Sequence, residues 1–305
     1  MRPPLVSVIL PIWNPNPDWL NAAIASAYQE SLCRIEVILV DDGSDGSPYD
    51  WLSPTNAERV HVIRIHHQGV SCARNVGLEK CQGEFIRFLD GDDVFLPEST
   101  SKLLELTTND KPIVAYGSTI LCDEYLQARK TVRSRLSGFI HFQVAVWQFK
   151  VYHTALLIPR DVIEQIGGFD ERLIVQGDWD FMLRLSEVAE FRGTQVPVYL
   201  YRLNENSWTG RGDKRREAIK STILIIKGYL KRHPELKNTN KERMVRAYAQ
   251  FQIAKFRNPG NSLRSTRFWK AATLDPLRGA GIFILRIVSA LGRAMKRIIT
   301  VVANK

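Results

Sequence analysis

The stretch "FIRFLDGDDVFLP", residues 85–97, runs from an apolar segment directly into three acidic side chains. Short apolar runs rich in branched and aromatic residues are typical of strands that are buried on both faces of a parallel sheet. Asp90, Asp92 and Asp93 follow this run, although like charges so close together repel unless a cation or hydrogen-bond donors offset them. The stretch therefore predicts a buried strand that ends in a ligand-binding loop.

Similar apolar runs recur along the chain and alternate with stretches of helical periodicity that begin near Pro17 and Gly69. This alternation predicts strand–helix–strand units, and therefore an α/β fold with a mostly parallel sheet flanked by helices. A further helix is expected near Asp178. The predicted strands span residues 6–11, 35–40, 60–65, 84–89, 113–116, 153–158 and 196–201.

The net charge of +10 is distributed unevenly along the 305 residues. Residues 1–210 contain 19 Lys and Arg against 27 Asp and Glu, whereas residues 211–305 contain 23 against 5. We therefore predict a catalytic domain over residues 1–210 and a basic helical region over residues 211–305. Any polyanionic partner is therefore to be sought at the second part.

The run at residues 281–302, "GIFILRIVSALGRAMKRIITVV", is apolar but contains basic side chains. Arg286, Arg293 and Arg297 share one side of a predicted helix. A membrane-spanning helix needs about 20 mostly apolar residues with few charges, whereas a basic amphipathic helix lies in the membrane interface. We therefore expect contact with an anionic membrane surface, with packing on the catalytic domain as the alternative. No nucleic-acid partner is expected, because no reader motif is present.

The cysteines and the N-terminal residues indicate the cellular compartment in which the protein is expected. Cys33, Cys72, Cys81 and Cys122 form no CxxC pair, which is typical of reduced thiols. The N-terminus enters a predicted strand without a signal-peptide pattern. We expect a cytoplasmic protein, held peripherally at the inner face of the cell membrane if the basic region binds lipid.

Two acidic clusters occupy the positions where a parallel sheet binds its ligands, beyond the carboxyl ends of the strands. Asp41 and Asp42 follow the second predicted strand, and Asp90 and Asp92 follow the fourth. Turn formation could explain one such cluster, but two on one sheet need another reason. Carboxylates spaced i, i+2 suit Mg²⁺ or Mn²⁺ bound together with a substrate diphosphate. The sequence therefore predicts a divalent-metal site.

Six segments occur in a characteristic order: "VSVILPIWN" (6–14), "VILVDDGSDGS" (37–47), "GVSCARNVGL" (69–78), "FLDGDDVFLP" (88–97), "IGGFDE" (166–171) and "GDWDFMLRL" (177–185). As an ordered set, which spans roughly residues 5–205, they resemble family 2 glycosyltransferases. The resemblance implies the GT-A fold and a metal-dependent, inverting transfer of a sugar. The donor would be a nucleotide sugar, in particular a UDP-sugar, and the acceptor a hydroxyl of a glycan or lipid-linked glycan in polysaccharide biosynthesis.

The resemblance also implies roles for residues that bind the donor. Pro11 and Asn14 would lie beside the nucleotide at the end of the first strand. Asp41 or Asp42 would accept a hydrogen bond from the base. Arg74 would lie near the sugar diphosphate, with a surface cation as the alternative.

Further roles concern the metal and the chemistry. Asp90 and Asp92 would form the DxD pair, with Asp92 the stronger metal ligand and Asp90 nearer the ribose. Asp93 would either touch the donor sugar or cap the following helix. Asp178 resembles the general base, a role that is compatible with capping its own helix.

The sequence departs from the family pattern at two places. Gly177 stands where the family usually has Glu, which leaves Asp180 as an alternative base, and no His is present near Asn204. A nucleotidyltransferase is one alternative, although the loop "PIWNPNPD" (11–18) lacks the expected Gly-rich, basic character. A catalytically inactive, membrane-bound GT-A scaffold is another, supported by Gly177. Sugar rings could pack on Trp147, Trp179 or Trp208, although core packing is expected for at least two of them.

Overall fold

The computed structural model describes residues 4–107, 112–203 and 214–257. The chain divides into two compact units, residues 1–212 and residues 213–305. The run at 281–302, Asn204 and Trp208 lie outside the described residues, so the expectations that concern them stay predictions. The roles predicted for the two parts of the chain are likewise still predictions.

The first half of the sheet is parallel, as the sequence predicts. Strand β1 (Leu5–Ile12) pairs in parallel with β2 (Arg34–Asp41) and with β4 (Phe85–Phe88), and β3 (Val60–Arg64) pairs in parallel with β2. All four strands lie within about two residues of their predicted bounds. The helices of this half are α1 (Pro17–Ala27), the short α2 (Pro54–Ala57) and α3 (Val70–Lys80).

The second half of the sheet has mixed pairing. It contains β5 (Val94–Phe95), β6 (Ile113–Cys122), β7 (Ala128–Val132), β8 (Leu156–Pro159) and β9 (Glu190–Arg202). Strands β6 and β9 are parallel, whereas β8 is antiparallel to both β4 and β6. Among the described residues these strands complete one sheet in the order β3-β2-β1-β4-β8-β6-β9-β5, with β7 paired to β6. The antiparallel pairs were not predicted.

The remaining helices of the first unit are α4 (Ser99–Leu104), α5 (His141–Ala145), α6 (Arg160–Ile166) and α7 (Gly177–Val188). In the second unit, α8 (Arg215–Arg232) packs against α9 (Asn240–Arg257). No helix within the described ranges combines the length and the apolar character that crossing a membrane requires.

The core forces the helices close to the sheet. The β1 side chains Val8, Ile9 and Leu10 are fully buried, and burial of each stabilises the fold by roughly 1.5–3 kcal/mol. Helix α3 approaches Ile9 so closely that a Cβ at Gly77 would lie 2.4 Å from the Ile9 Cγ2. The absence of a side chain at Gly77 therefore lets α3 lie directly on β1, which aligns its other residues with the carboxyl edge of the sheet.

Candidate active site

The carboxyl ends of β1 and β2 are joined by hydrogen bonds through Asn14. Its Nδ2 donates to Asp45 Oδ2 and its Oδ1 accepts from the Asp45 amide, both at 2.9 Å. The Asn14 backbone has a φ of 45°, a left-handed conformation that Asn adopts more readily than most residues. Pro11 lies buried in β1 opposite Val40. Both residues thus shape the wall where the nucleotide is expected, and their direct contact with it stays a prediction.

Asp41 has a buried oxygen without a donor. Its Oδ1 accepts from the Ser44 amide at 3.0 Å. Its Oδ2 lies 3.4 Å from Arg64 Nε but accepts no hydrogen bond in the described part of the chain. Buried acceptors are nearly always satisfied by protein or by ordered water, so this oxygen is available to a donor other than the described side chains.

The neighbouring Asp42 is already satisfied within the protein. Its Oδ1 accepts from the Gln68 amide at 2.8 Å and its Oδ2 from the Gly69 amide at 2.9 Å. His67 Nδ1 lies 2.9 Å from the same Oδ2. Asp42 therefore holds the loop before α3, and of the two acids predicted to read the base, Asp41 has the better geometry.

Trp13 is an aromatic residue of this edge that the sequence reasoning missed. Its ring is 47% exposed and stacks on His67 with a centroid distance of 4.8 Å and an interplanar angle of 29°. The signal was available, because an aromatic residue directly follows the predicted end of β1. Trp13 offers a flat surface beside Asp41, the β2 residue that pairs with Ile12.

Arg74 binds Asp90. Its side chain is only 8% exposed and its Nη2 donates to Asp90 Oδ1 at 2.7 Å, so the alternative of a surface cation is wrong. Burial alone would raise the pKa of Asp90, but the Arg74 guanidinium and its hydrogen bond lower the pKa below its ordinary value. Asp90 is therefore held as a carboxylate. The Arg74 Nε is buried without a partner among the described residues.

Asp92 is the acid with the least support from the protein. Its carboxylate is stabilised by its own main-chain amide and by the charge of Arg202, and its main-chain carbonyl accepts from Arg202 Nε at 2.7 Å. Burial raises the pKa of Asp92 to about 6, and the nearby Asp90 adds to the rise. A bound cation would reverse both effects.

The carboxylates around Asp92 suit a divalent ion such as Mg²⁺ that takes its other ligands from substrate and water. No group of three or more His, Cys, Asp or Glu side chains that could hold a metal occurs in the described ranges. Mg²⁺ usually needs only one or two carboxylates, with substrate phosphates and water as its other ligands. Asp90 and Asp92 therefore suit an ion that arrives with a diphosphate, and their service as metal ligands stays a proposal.

The two roles expected of Asp93 need correction. Its side chain is turned into the protein, where Oδ1 accepts from the Arg202 amide at 2.7 Å and Oδ2 accepts from the Tyr199 hydroxyl. It does not cap the next helix, because α4 begins at Ser99 with Glu98 at its N-cap. Two donors on β9 occupy the carboxylate, so Asp93 anchors the acidic loop and does not face a donor sugar.

Asp178 lies in the first turn of α7, close to the acids of β4. The N-cap of α7 is Gln176, so the expected capping role of Asp178 is wrong. Asp178 Oδ1 accepts from the Trp179 amide at 2.9 Å. Burial raises the pKa of Asp178, the positive charge of Arg74 opposes the rise, and the Asp90 charge adds to it. The charges of Arg74 and Asp90 therefore both act on Asp178, which indicates that the three side chains lie near one another.

The neighbours of Asp178 explain the departure from the family pattern. Asp180 Oδ2 accepts from Arg184 Nε at 2.7 Å in a largely buried ion pair, which favours Asp178 as the base, and the choice between the two acids stays a prediction. A Cβ at Gly177 would lie 3.1 Å from Ser71 Oγ. A Glu at this position would therefore require Ser71 to move, and Gly177 lets the first turn of α7 lie against α3.

The tryptophans near α7 differ in exposure. Trp179 is buried in the core, where its Nε1 donates to the Val144 carbonyl at 3.0 Å. Trp147 is partly exposed and packs edge-on against Trp179 with a centroid distance of 5.4 Å. Core packing is thus observed for Trp179, and Trp147 still has a ring face that a sugar could contact.

Sequence comparison identifies the family to which the chain belongs. The model of the family described as Glycosyl transferase family 2 matches residues 7–167. An uncharacterized glycosyltransferase of Haemophilus influenzae is 35% identical over 237 residues, which cover 76% of this chain and 90% of that relative. TuaG of Bacillus subtilis, whose name refers to teichuronic acid biosynthesis, is 37% identical over 105 residues, which cover 33% of this chain and 41% of TuaG.

Solved structures bear on the fold. The structure of residues 1–349 of TarS from S. aureus in complex with UDP-GlcNAc has a TM-score of 0.60 and 17% sequence identity, and the match covers 85% of this chain and 72% of that one. At this identity the likeness shows the fold alone, which confirms the predicted GT-A architecture. The family match and the Haemophilus influenzae relative, and not the shared fold, replace the nucleotidyltransferase alternative. The chain belongs to glycosyltransferase family 2 and is a glycosyltransferase.

Proposed function

We propose that this chain transfers a sugar from a UDP-sugar to a hydroxyl of a glycan or lipid-linked glycan, with inversion at the anomeric carbon. The observation that carries the proposal is the 2.7 Å ion pair of Arg74 with Asp90 after β4, whose two charges both act on Asp178 in the first turn of α7. The TarS structures in complex with UDP-GlcNAc and with UDP support a uridine nucleotide as the leaving group.

The nucleotide pocket follows from two features of the β1–β2 edge. The exposed face of Trp13 can stack on a base, an interaction worth roughly 1–3 kcal/mol. Asp41 Oδ2 lacks a hydrogen-bond donor among the described residues, and an N–H of the base would supply it. Arg64, whose side chain is about half exposed, would have to shift to admit the base.

Asp90 and Asp92 would hold Mn²⁺ or Mg²⁺ beside the diphosphate. A bound ion would supply positive charge to the departing diphosphate. Arg74 keeps Asp90 ionised through its 2.7 Å contact, and its Nε is buried without a hydrogen-bond acceptor among the described residues. Asp93 anchors the acidic loop by its hydrogen bonds to β9. We therefore expect Asp90 and Asp92 to keep their positions when the nucleotide sugar binds.

Asp178 would serve as the general base. Its carboxylate would take the proton from the acceptor hydroxyl while that oxygen bonds to the anomeric carbon and the bond to UDP breaks. Such a single displacement inverts the configuration at that carbon. A general base works best when its pKa lies nearer the working pH, and burial moves the pKa of Asp178 upward in that direction.

The acceptor and the location belong to the same proposal. The name of TuaG supports a role in building a cell-envelope polysaccharide. A basic C-terminal region suits an enzyme held from the cytoplasm against an anionic membrane, where a lipid-linked glycan would be presented.

Calorimetry of UDP binding with and without Mn²⁺ tests the metal and nucleotide assignments together. We expect Mn²⁺ to strengthen UDP binding to the full chain and to have no effect on Asp92→Asn, because the ion loses a ligand. Asp18→Asn, which removes an exposed acid from α1, is the matched control and should behave as the unaltered chain. Equal Mn²⁺ dependence in Asp92→Asn would remove the metal assignment.

Hydrolysis assays with a panel of nucleotide sugars test the activity itself. We expect one UDP-sugar to be hydrolysed faster than its GDP and CDP counterparts. No turnover with any nucleotide sugar, together with normal UDP binding, would favour the inactive scaffold.

A further inference from the structure

Helix α8 exposes one continuous stripe of side chains. The stripe consists of Arg216, Lys220, Ile223, Leu224, Lys227 and Lys231, all of which are exposed. Their spacing of three, four or eight residues places them on one side of an α-helix. Ile223 and Leu224 are 38% and 47% exposed, so two branched apolar side chains lie at the centre of a basic surface.

The other side of α8 has the opposite character. Ala218, Ile225, Ile226 and Tyr229 are buried on it, together with Ser221 and Thr222. This side supplies the apolar surface with which α8 packs against α9. The packing of the helix pair is thus satisfied without Ile223 and Leu224, whose exposure needs a separate reason.

We propose that the α8 stripe is a docking surface for an anionic lipid membrane. Lysines that flank an apolar centre can keep their ammonium groups among lipid phosphates while their stems and the central side chains enter the interface. Glu217, next to the stripe, lies 3.0 Å from Lys220 Nζ at the helix surface. The excess of basic residues across 211–305 adds attraction to the same anionic surface.

Two other occupants fit less well. A second copy of the chain that docked on the stripe symmetrically would bring Lys227 and Lys231 against the basic side chains of the other copy's stripe. Like charges in contact repel. A nucleic acid would attract the charges but would gain nothing from Ile223 and Leu224. A membrane uses both kinds of side chain. The proposal locates a partner surface for the transferase, and its biological meaning rests on the lipid-linked acceptor proposed above.

Vesicle co-sedimentation of the full chain tests the stripe without donor, metal or turnover, so failure of the proposed chemistry would not affect it. The probes are phosphatidylcholine vesicles with about one third phosphatidylglycerol, and vesicles of phosphatidylcholine alone. We expect binding to the anionic vesicles only, and we expect added salt to weaken it.

Two double variants separate the charges from the apolar centre. Removal of a basic side chain at an anionic surface costs about fivefold in affinity, so Lys227→Glu/Lys231→Glu should bind at least about thirtyfold more weakly. Lys80→Glu/Lys130→Glu makes the same charge change at exposed sites in the other unit and should bind far better than the stripe variant.

The apolar centre is tested by Ile223→Ser/Leu224→Ser, which should lower the affinity for anionic vesicles about tenfold. Its control is Leu32→Ser/Val196→Ser, which changes two exposed apolar residues elsewhere and should bind as the unaltered chain does.

Several outcomes would overturn the proposal. It fails if the full chain does not sediment with anionic vesicles, or if it binds neutral vesicles equally well. It also fails if the stripe variants match their controls. Sedimentation equilibrium and a DNA-binding assay on the same proteins test the other two occupants. If the stripe variants bind vesicles normally but no longer form a dimer, the partner of the stripe is a second copy of the chain. If they bind vesicles normally but no longer bind DNA, the partner is a nucleic acid.

Discussion

The acids at the carboxyl edge of the sheet differ in what already binds their oxygens. Main-chain amides donate to Asp42 and Asp93, and a guanidinium donates to Asp90. The carboxylate of Asp92 is stabilised within the described residues by its own amide and by the charge of Arg202. Substitution of Asp42 or Asp93 should therefore loosen loops, whereas substitution of Asp92 should alter ligand binding.

Asp178→Asn should reduce turnover by roughly 10²–10⁴-fold, the usual contribution of a general base. The amide keeps the shape of the side chain but cannot accept the proton. Binding of UDP should change little, because the expected nucleotide contacts lie on β1 and β2. Steady-state kinetics with the preferred UDP-sugar, together with calorimetry of UDP, give both quantities.

Asp180→Asn is the matched comparison for Asp178→Asn, since both substitutions lie in the first turn of α7. It breaks the ion pair with Arg184 and should lower stability more than turnover. Loss of turnover at Asp180 with retention at Asp178 would show that the base is the other acid.

His153 should make the folded protein sensitive to acid. Burial lowers the pKa of His153 to about 3 from an ordinary value of 6.5, and the positive charge of Arg74 adds to the shift. The unfolded chain therefore binds a proton at pH values where the folded chain does not. Stability from this residue is complete above about pH 6.5 and decreases as the pH falls towards 3, by at most about 1.4 kcal/mol per pH unit.

Urea unfolding at pH 7 and pH 5 measures this effect. His153→Phe should reduce the loss of stability between the two pH values by about 2 kcal/mol, because phenylalanine takes up no proton and its ring can pack where His153 contacts Phe88 and Phe169. His61→Phe, on the exposed side of β3, is the control. An unchanged loss in His153→Phe would contradict the burial argument.

The sequence predicted which residues gather at this edge better than what each one does. The positions of Asp41, Asp90 and Asp92 follow from the strand ends, which apolar runs reveal. The internal roles of Asp42 and Asp93 depend on donors in the loop before α3 and on β9, which no local pattern connects to them. The sequence alone does not distinguish Asp180 from Asp178, because the difference between them is the ion pair of Asp180 with Arg184.

At the scale of elements, the contact between α3 and β1 fixes how Arg74 reaches Asp90. Gly77→Ala should destabilise the fold by about 1–3 kcal/mol, the usual cost of overpacking a core, because its Cβ would meet Ile9. The cost should shrink in an Ile9→Ala background, where the clashing atoms are gone. Denaturant unfolding of the four proteins in this double-mutant cycle gives the coupling.

Gly228→Ala is the matched control for Gly77→Ala. Its Cβ would meet only the Arg232 guanidinium, the end of a flexible side chain. Alanine is the better helix former by about 1 kcal/mol, so this variant should be neutral or more stable. If both glycine variants behave alike, close packing on Ile9 is not what position 77 requires.

Strands buried on both faces were predictable, and so was the edge strand β3, whereas β5 and β7 were not. Strands β1, β2 and β4 form nearly continuous apolar runs, because helices cover both faces of this part of the sheet. Strand β7 reads "ARKTV" and is mostly exposed, and β5 has only two residues. Neither carries the periodicity on which a prediction depends.

At the scale of the whole molecule, every described candidate for donor binding and chemistry lies in residues 1–212. A chain of residues 1–212 should therefore bind UDP with an affinity within about threefold of the full chain, which is less than 1 kcal/mol. Calorimetry measures the affinity, and circular dichroism verifies that the shortened chain is folded. A folded chain without UDP binding would show that residues 213–305 contribute to the donor site.

Strand β4 pairs in parallel with β1 on one side and antiparallel with β8 on the other. The loop with Asp90 and Asp92 therefore leaves the sheet at the boundary between two differently built halves. The half before this boundary holds the expected nucleotide contacts, and the half after it leads to Trp147 and α7. We therefore expect relatives that act on other glycans to differ mainly in the second half, apart from Asp178, and to resemble this chain around the nucleotide.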